Sequence, residues 1–338
     1  MLSVAARFLR RWWTLLLLPA AIALLLPGEV TLRRDLPGRV HRLVWQQEFD
    51  YVRWTAQAAQ TRLAQESLGD STYLSDDQRR QIVLDYLALV RQIQQLEAQL
   101  RQVYADPAFT GPASAPAIQA AALLAELQPL QERETADQPL AEAILQEQLA
   151  AVLADLGLTA GGQPLPPVAF RFTPLPYALI VSPRNVIRQE VNTSLLPDLT
   201  LAEQETIEAE IDAKLDVSAL IVPVGGIGTY PTMIQETSSL DWIANVTAHE
   251  WTHNFLTLRP LGLSYLDSPA LQTMNETAAS IAGDEIGAAL IRRFYPQPPE
   301  SKTPKPQIPN PKPEPPPFDF RADMRLTRAR ADQLLAAG

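Results

Sequence analysis

The chain has 338 residues, of which 46% are hydrophobic and 20% charged, and its net charge is −10. That length suits one large or two medium cores, and the acidic balance argues against a nucleic-acid partner, because phosphate binding needs a basic face. The chain has no cysteine, which excludes disulfides, thiolate zinc ligands, a cysteine nucleophile and a lipoprotein anchor.

Arg7, Arg10 and Arg11 precede an apolar run from Trp12 to Pro27. A basic flank before an apolar stretch is the pattern of a secretory signal or signal anchor. No small-x-small cleavage site follows in Leu24-Leu-Leu-Pro-Gly-Glu29. The expectation is therefore an uncleaved transmembrane anchor over residues 1–30. It would make a single-pass membrane protein with the remainder outside the cytoplasm. Arg33, Arg34, Arg39 and Arg42, close behind the run, weaken the charge asymmetry behind that orientation.

Residues 31–160 are rich in Gln, Ala, Leu and Glu. Ile82, Leu84, Tyr86, Leu87, Leu89, Val90, Ile93, Leu96 and Leu100 form an apolar stripe of helical period. Ser75, Asp76 and Asp77 start that long helix and Pro107 stops it. Further helices are expected at about 45–68, 115–134 and 138–156. The region reads as a helical bundle or spacer, with partner binding as the alternative.

Gly161-Gly162 and Pro164, Pro166 and Pro167 break the helical pattern and open a second region, 161–295. Val168–Phe172 and Tyr177–Val181 read as strands, and a helix capped by Thr200 follows over 201–215. Val217–Val224 is a third strand. The Gly225-Gly-Ile-Gly228 turn would bring Thr229–Ile234 back against it as a hairpin. Two long helices are expected at 239–258 and 268–295, the second opened by Ser268-Pro269. Residues 296–317 are about half proline, an extended loop or linker, and 318–338 hold a short terminal helix.

The chemistry concentrates in His249-Glu-Trp-Thr-His253, which holds two of the chain's three histidines. On a helix, residues four apart share a face, so both imidazoles can converge on one zinc ion. Glu250 stands to one side, where a base can take a proton from water. Trp242, Val246, His249 and His253 fall on one helical face, which the pattern turns toward the interior. Zinc needs a third protein ligand. The extended form with a later His-x-x-Gly-x-x-His is excluded, because Leu256 and Arg259 occupy the glycine and histidine positions. Glu276 on the next helix is the best candidate, beside the small residues Ala278, Ala279 and Ser280. Glu285, Asp284 and Asp267 are the alternatives. For the oxyanion of a hydrolytic transition state the candidates are Tyr230 and Tyr265.

His249-Glu-x-x-His253 followed by Asn275-Glu276 on a second helix resembles the gluzincin metallopeptidases, the thermolysin-like clan. The resemblance covers about residues 217–295. It implies His249, His253 and Glu276 as zinc ligands, Glu250 as general base, and the strand region 217–234 as the aligner of a peptide backbone. One departure is Ser280, which stands where the clan carries an aspartate oriented toward a ligand histidine; Asp284 is a possible substitute. The expected fold class is α+β: an N-terminal membrane helix, a long-helix bundle, then a zincin-like domain with a small mixed sheet and two active-site helices. The expected function is a membrane-anchored zinc peptidase acting on a peptide or protein substrate. The competing readings are a non-catalytic envelope scaffold pinned by zinc and a membrane-tethered adaptor in which the motif arises by chance.

Overall fold

The computed structural model describes residues 35–68, 73–109, 111, 114–296 and 319–337. The chain divides into two compact units, each assembled from separated stretches. One contains Pro176–Val224 together with the described residues up to Val52 and the terminal helix; the other contains Arg53–Leu175 and Gly225–Gln297.

The first unit is a three-stranded antiparallel sheet covered on one face by helices. Helix α1 (Leu36–Val44) starts at Asp35, whose side chain accepts from Gly38 N at 3.1 Å, with a proline in its first turn. Helix α2 (Tyr51–Leu68) begins at the end of this stretch and from Arg53 onward belongs to the second unit. Strands β4 (Tyr177–Pro183), β5 (Val191–Leu195) and β6 (Val217–Val222) lie in the order β5-β4-β6, and helix α5 (Leu201–Leu215) precedes β6. In β6, Val217, Ala219 and Ile221 are buried while Ser218 and Leu220 are exposed, the alternation of a strand with one covered face. Leu179, Val181, Val191 and Leu195 complete the inner face against Val40, Val44 and Ile211. The outer edge of β6 is closed by α5, where Glu208 and Asp212 accept from Ile221 N at 2.6 Å and Ala219 N at 2.7 Å.

The second unit is built on two long helices. Helix α3 (Asp76–Tyr104) opens with a reciprocal cap between Ser75 and Gln78. Helix α4 runs unbroken from Ala115 to Asp155. Their apolar faces meet through Val83, Tyr86, Leu87 and Val90 and through Ala141, Ile144, Leu145 and Leu149. Each such large apolar side chain contributes about 1.5–3 kcal/mol on full burial. After α4 come a two-residue-turn hairpin, β1 (Thr159–Ala160) with β2 (Gln163–Pro164), then β3 (Phe170–Phe172), β7 (Gly226–Ile227) and β8 (Thr232–Ile234). Gly161 and Gly162 take φ of +61° and +81°, as the tight turn of the hairpin requires. β3 pairs parallel with β8 and β7 pairs antiparallel with it, in the order β3-β8-β7. Helices α6 (Leu240–Thr257), α7 (Pro260–Leu263) and α8 (Pro269–Phe294) complete the unit, and α9 (Phe320–Ala337) ends the chain. Ile243, Ala244, Ala248 and Trp251 of α6 and Ile286 and Leu290 of α8 join the same core.

Several expectations are corrected. The described chain is about 64% helical with only small sheets, so the α+β class with an N-terminal membrane helix does not stand. Among the described residues no helix is long and apolar enough to cross a membrane, which overturns the single-pass placement. The anchor expected over 1–30 and the proline-rich stretch after 296 lie outside the described residues. The expected hairpin of 217–224 with 229–234 does not form. β6 instead pairs with β4, Pro223 follows its end, and β8 pairs with β3 and β7. The two helices expected at 115–134 and 138–156 are one. Pro129 and Pro139 lie inside it, and packing along α3 outweighs the backbone hydrogen bonds they forgo.

Candidate metal centre

Helix α6 holds the motif because its sequence packs it from below. Ser239 caps its start, accepting from Trp242 N at 3.4 Å. Ile243, Ala244, Thr247, Ala248 and Trp251 are buried beneath it. Trp251 Nε1 donates to Pro166 O at 2.9 Å, and the Thr247 and Thr252 hydroxyls return to the helix's own carbonyls. The histidine face is thus not the core face. His249 and His253 have side chains 21% and 19% exposed, and Trp242 and Val246 are likewise half-buried.

Helix α8 reaches this face by close backbone approach. A Cβ on Gly283 would lie 3.0 Å from Asn245 O and 3.1 Å from His249 Cβ, and one on Gly287 would lie 2.9 Å from Asn245 N. Ala279, between these glycines and Glu276 along the helix, is fully buried. This contact sets Glu276 opposite the histidines. Glu276 Oε2 lies 3.7 Å from His249 Nε2 and 3.5 Å from His253 Nε2, and the two Nε2 atoms are 3.0 Å apart. Ligands at about 2.0–2.1 Å from a tetrahedral zinc stand about 3.3 Å from one another. The triangle is therefore close to one face of such a tetrahedron. Among the described residues it is the one group of three His, Asp or Glu side chains arranged so that they could hold a metal ion. The Glu276 side chain is 45% exposed, so solvent reaches the group.

The protonation pattern favours ligation. Burial, then the charge of His253, lowers the His249 pKa against the opposing pull of Glu276, keeping the imidazole neutral. His253 Nδ1 lies 2.8 Å from Asn275 Oδ1. An amide oxygen only accepts, so Nδ1 carries a proton, and Nε2 is the ring nitrogen that faces the triangle. Asn275 is buried and its own amide donates to Leu261 O at 3.4 Å.

Glu250 lies beside the triangle, 8% exposed. Its cover is β7: a Cβ on Gly226 would stand 2.8 Å from Glu250 Oε1, and one on Gly228 3.3 Å from Oε2. Burial, reinforced by the charge of Glu276, pushes the Glu250 carboxyl up to about 7. The turn from β7 to β8 is tied to α6 by Asn254, whose amide donates to Thr229 O and Thr232 Oγ1, both at 3.2 Å.

The other expected residues fall in different places. Tyr265 is on the site, but its hydroxyl donates to Glu276 Oε1 at 2.8 Å and receives Gln272 Nε2 at 3.1 Å. Burial is the first cause of its raised pKa, so the phenol keeps its proton and holds the Glu276 carboxylate. Tyr230 is half-buried in the β7–β8 turn. Ser280 is exposed on α8, and no hydrogen bond joins it to either histidine. Asp284 accepts from Asn245 Nδ2 at 2.6 Å, a turn before His249, and does not orient an imidazole. Glu285, Asp284 and Asp267 are outside the ligand group. Gln272, Gly283 and Gly287 have no role in the sequence reading, Gly226 and Gly228 figure there only in a turn, and Asn275 only beside Glu276 in the motif. Only Asn275 carried a signal, as the neighbour of Glu276. Comparison of the chain with protein-family models, curated proteins and solved structures gives no match.

Proposed function

We propose that the chain is a zinc-dependent peptidase that works in the manner of the gluzincins. The observation that carries this reading is the triangle of His249, His253 and Glu276 with the carboxyl of Glu250 beside it. The donor set, two imidazole nitrogens and one carboxylate, matches a catalytic zinc site rather than a closed structural one. When bound, zinc would polarise a peptide carbonyl and acidify water. Glu250 takes a proton from the attacking water and returns it to the leaving amine. Asn275 holds His253, and Tyr265 holds Glu276.

The sheet supports a peptide substrate. At its β3 edge, Gln138 donates to Phe172 O, Glu142 accepts from Phe172 N, and Gln146 donates to Phe170 O. That edge is taken by α4 side chains. At the other edge β7 has a single neighbour among the described strands. An extended peptide can add there as a further strand, with Gly226 and Gly228 leaving its backbone close to Glu250.

The test is metal analysis of the purified full chain with hydrolysis of a mixed peptide library. The expected result is one zinc per chain with hydrolysis, no zinc in His253→Ala, and full zinc but activity reduced about 100-fold or more in Glu250→Gln. Absence of stoichiometric zinc, or full activity in Glu250→Gln, refutes the reading.

A further inference from the structure

The histidine face of α6 continues toward the start of the helix. Asn245 lies one turn and Trp242 two turns before His249. Trp242 and Val246 are half-buried at the edge of the core, on a strip between two walls. One wall is the chain entering β7: a Cβ on Gly225 would lie 3.2 Å from the Trp242 indole, and one on Gly226 3.0 Å from Val246 Cγ1. The other is α8, where Glu276, Ser280 and Asp284 follow at intervals of four on one face. Asn245 Nδ2 donates to Asp284 Oδ1 at 2.6 Å, which sets that carboxylate against the strip, three residues along α6 from Trp242.

The other carboxyls of the site are engaged. Glu276 faces the histidines and Tyr265, and Glu250 lies under the β7 glycines. Asp284 is exposed, and the ion pairs of α6 and α8 among the described residues are those of Glu276 with the histidines and of Arg293 with Asp155. One amide hydrogen leaves most of a carboxylate's acceptor capacity unused. α6 carries no lysine or arginine, and the first on α8 beyond Asp284 is Arg292, eight residues and about 12 Å away. Asp241, exposed in the first turn of α6, adds negative charge.

We propose that this strip is the specificity subsite of the peptidase and takes a lysine or arginine side chain of the substrate: Trp242 and Val246 carry the stem, and Asp284, held by Asn245, receives the charged head. The proposal rests on the peptidase reading of the metal centre. A basic side chain joins an apolar stem to a charged tip, and an indole face attracts a cation. Length separates a basic side chain from a free amino terminus. Asn245 is four residues, about 6 Å, before His249 along α6. The α-amine of the residue at the scissile bond is two bonds from the carbonyl carbon and stays at the triangle, whereas a lysine or arginine stem spans the interval. An acidic side chain would meet Asp284 and Asp241 as like charges.

The experiment is digestion of a mixed peptide library by the full chain with zinc, the cleavage sites read by mass spectrometry and the bound zinc counted alongside. The wild type should cut with lysine or arginine at one fixed position beside the scissile bond, about tenfold above other residues, the combined scale of an exposed ion pair and a cation–π contact. Asp284→Asn keeps the shape and should reduce that preference about threefold or more. Asp284→Lys should reverse it toward aspartate and glutamate at the same position, with one zinc per chain in both variants. A merely structural Asp284 would not exchange one charge preference for the other. A wild type that holds zinc and cuts without a basic preference, or an Asp284→Lys chain that keeps the wild-type preference, overturns the subsite alone. A wild type without zinc or cleavage overturns the peptidase reading and the subsite with it.

Discussion

Replacing Asn275 by alanine removes the acceptor that orients His253. The loss is specific: one hydrogen bond of 2.8 Å to the ring nitrogen away from the triangle, and a longer one of 3.4 Å to Leu261 O. Partners that hold the far nitrogen of a ligand histidine are worth roughly 10–100-fold in metal affinity, or about 1.4–2.7 kcal/mol. Because Asn275 is buried, truncation also leaves His253 Nδ1 and Leu261 O short of a partner, at about 1–3 kcal/mol of stability. The assay is zinc competition against a chelator of known affinity, run beside thermal unfolding of the metal-free chain. Asn275→Ala should bind zinc 10–100-fold more weakly. Asn275→Asp keeps an acceptor at the same place, now charged, and should bind at least as tightly as wild type. If Asn275→Ala stays folded and its affinity is within about twofold of wild type, or if the aspartate variant weakens as much as the alanine one, the assigned role of Asn275 is wrong.

Two glycine substitutions probe the site from either side. Gly226→Ala would set a methyl 2.8 Å from Glu250 Oε1 and 3.0 Å from Val246 Cγ1. It should leave zinc stoichiometry intact while displacing the base, lowering turnover about tenfold or more; unchanged turnover would show that β7 does not position Glu250. Gly287→Val would drive a side chain against the Asn245 backbone, where a Cβ alone meets Asn245 N at 2.9 Å and Ala244 C at 3.1 Å. Backbone cannot move aside cheaply, so the variant should lose about 1–3 kcal/mol in denaturant unfolding and bind zinc more weakly, because α8 carries Glu276. Wild-type stability in that variant would mean the helices meet elsewhere.

Local patterns determined much of what is seen. The cap at Ser75, the cap at Thr200 and the Ser268-Pro269 start each act within a few residues, and each helix begins where those signals stand. The four-residue spacing of His249 and His253 needs only a helix to bring the imidazoles together. Glu276 was legible as a candidate because small residues beside it announce a close helix contact. Other features depend on neighbours distant in sequence. Val217–Val222 reads as half of a hairpin with the strand after the glycine turn, yet its partner is β4, since strand pairing is decided by which faces can be buried together. The helices expected at 115–134 and 138–156 are one helix, Ala115–Asp155, packed alongside α3. Asp284 and Ser280 were the expected supports of the histidines because a sequence shows spacing, not direction. In the fold Asp284 turns to Asn245, and Asn275, named in the sequence only as the neighbour of Glu276, holds His253. The sequence by itself determined which side chains can bind a metal, because ligand chemistry belongs to residue type and helical spacing. Only the tertiary structure decided what orients them, because a hydrogen bond between residues on different helices exists only once close packing at Gly283 and Gly287 has set their distance.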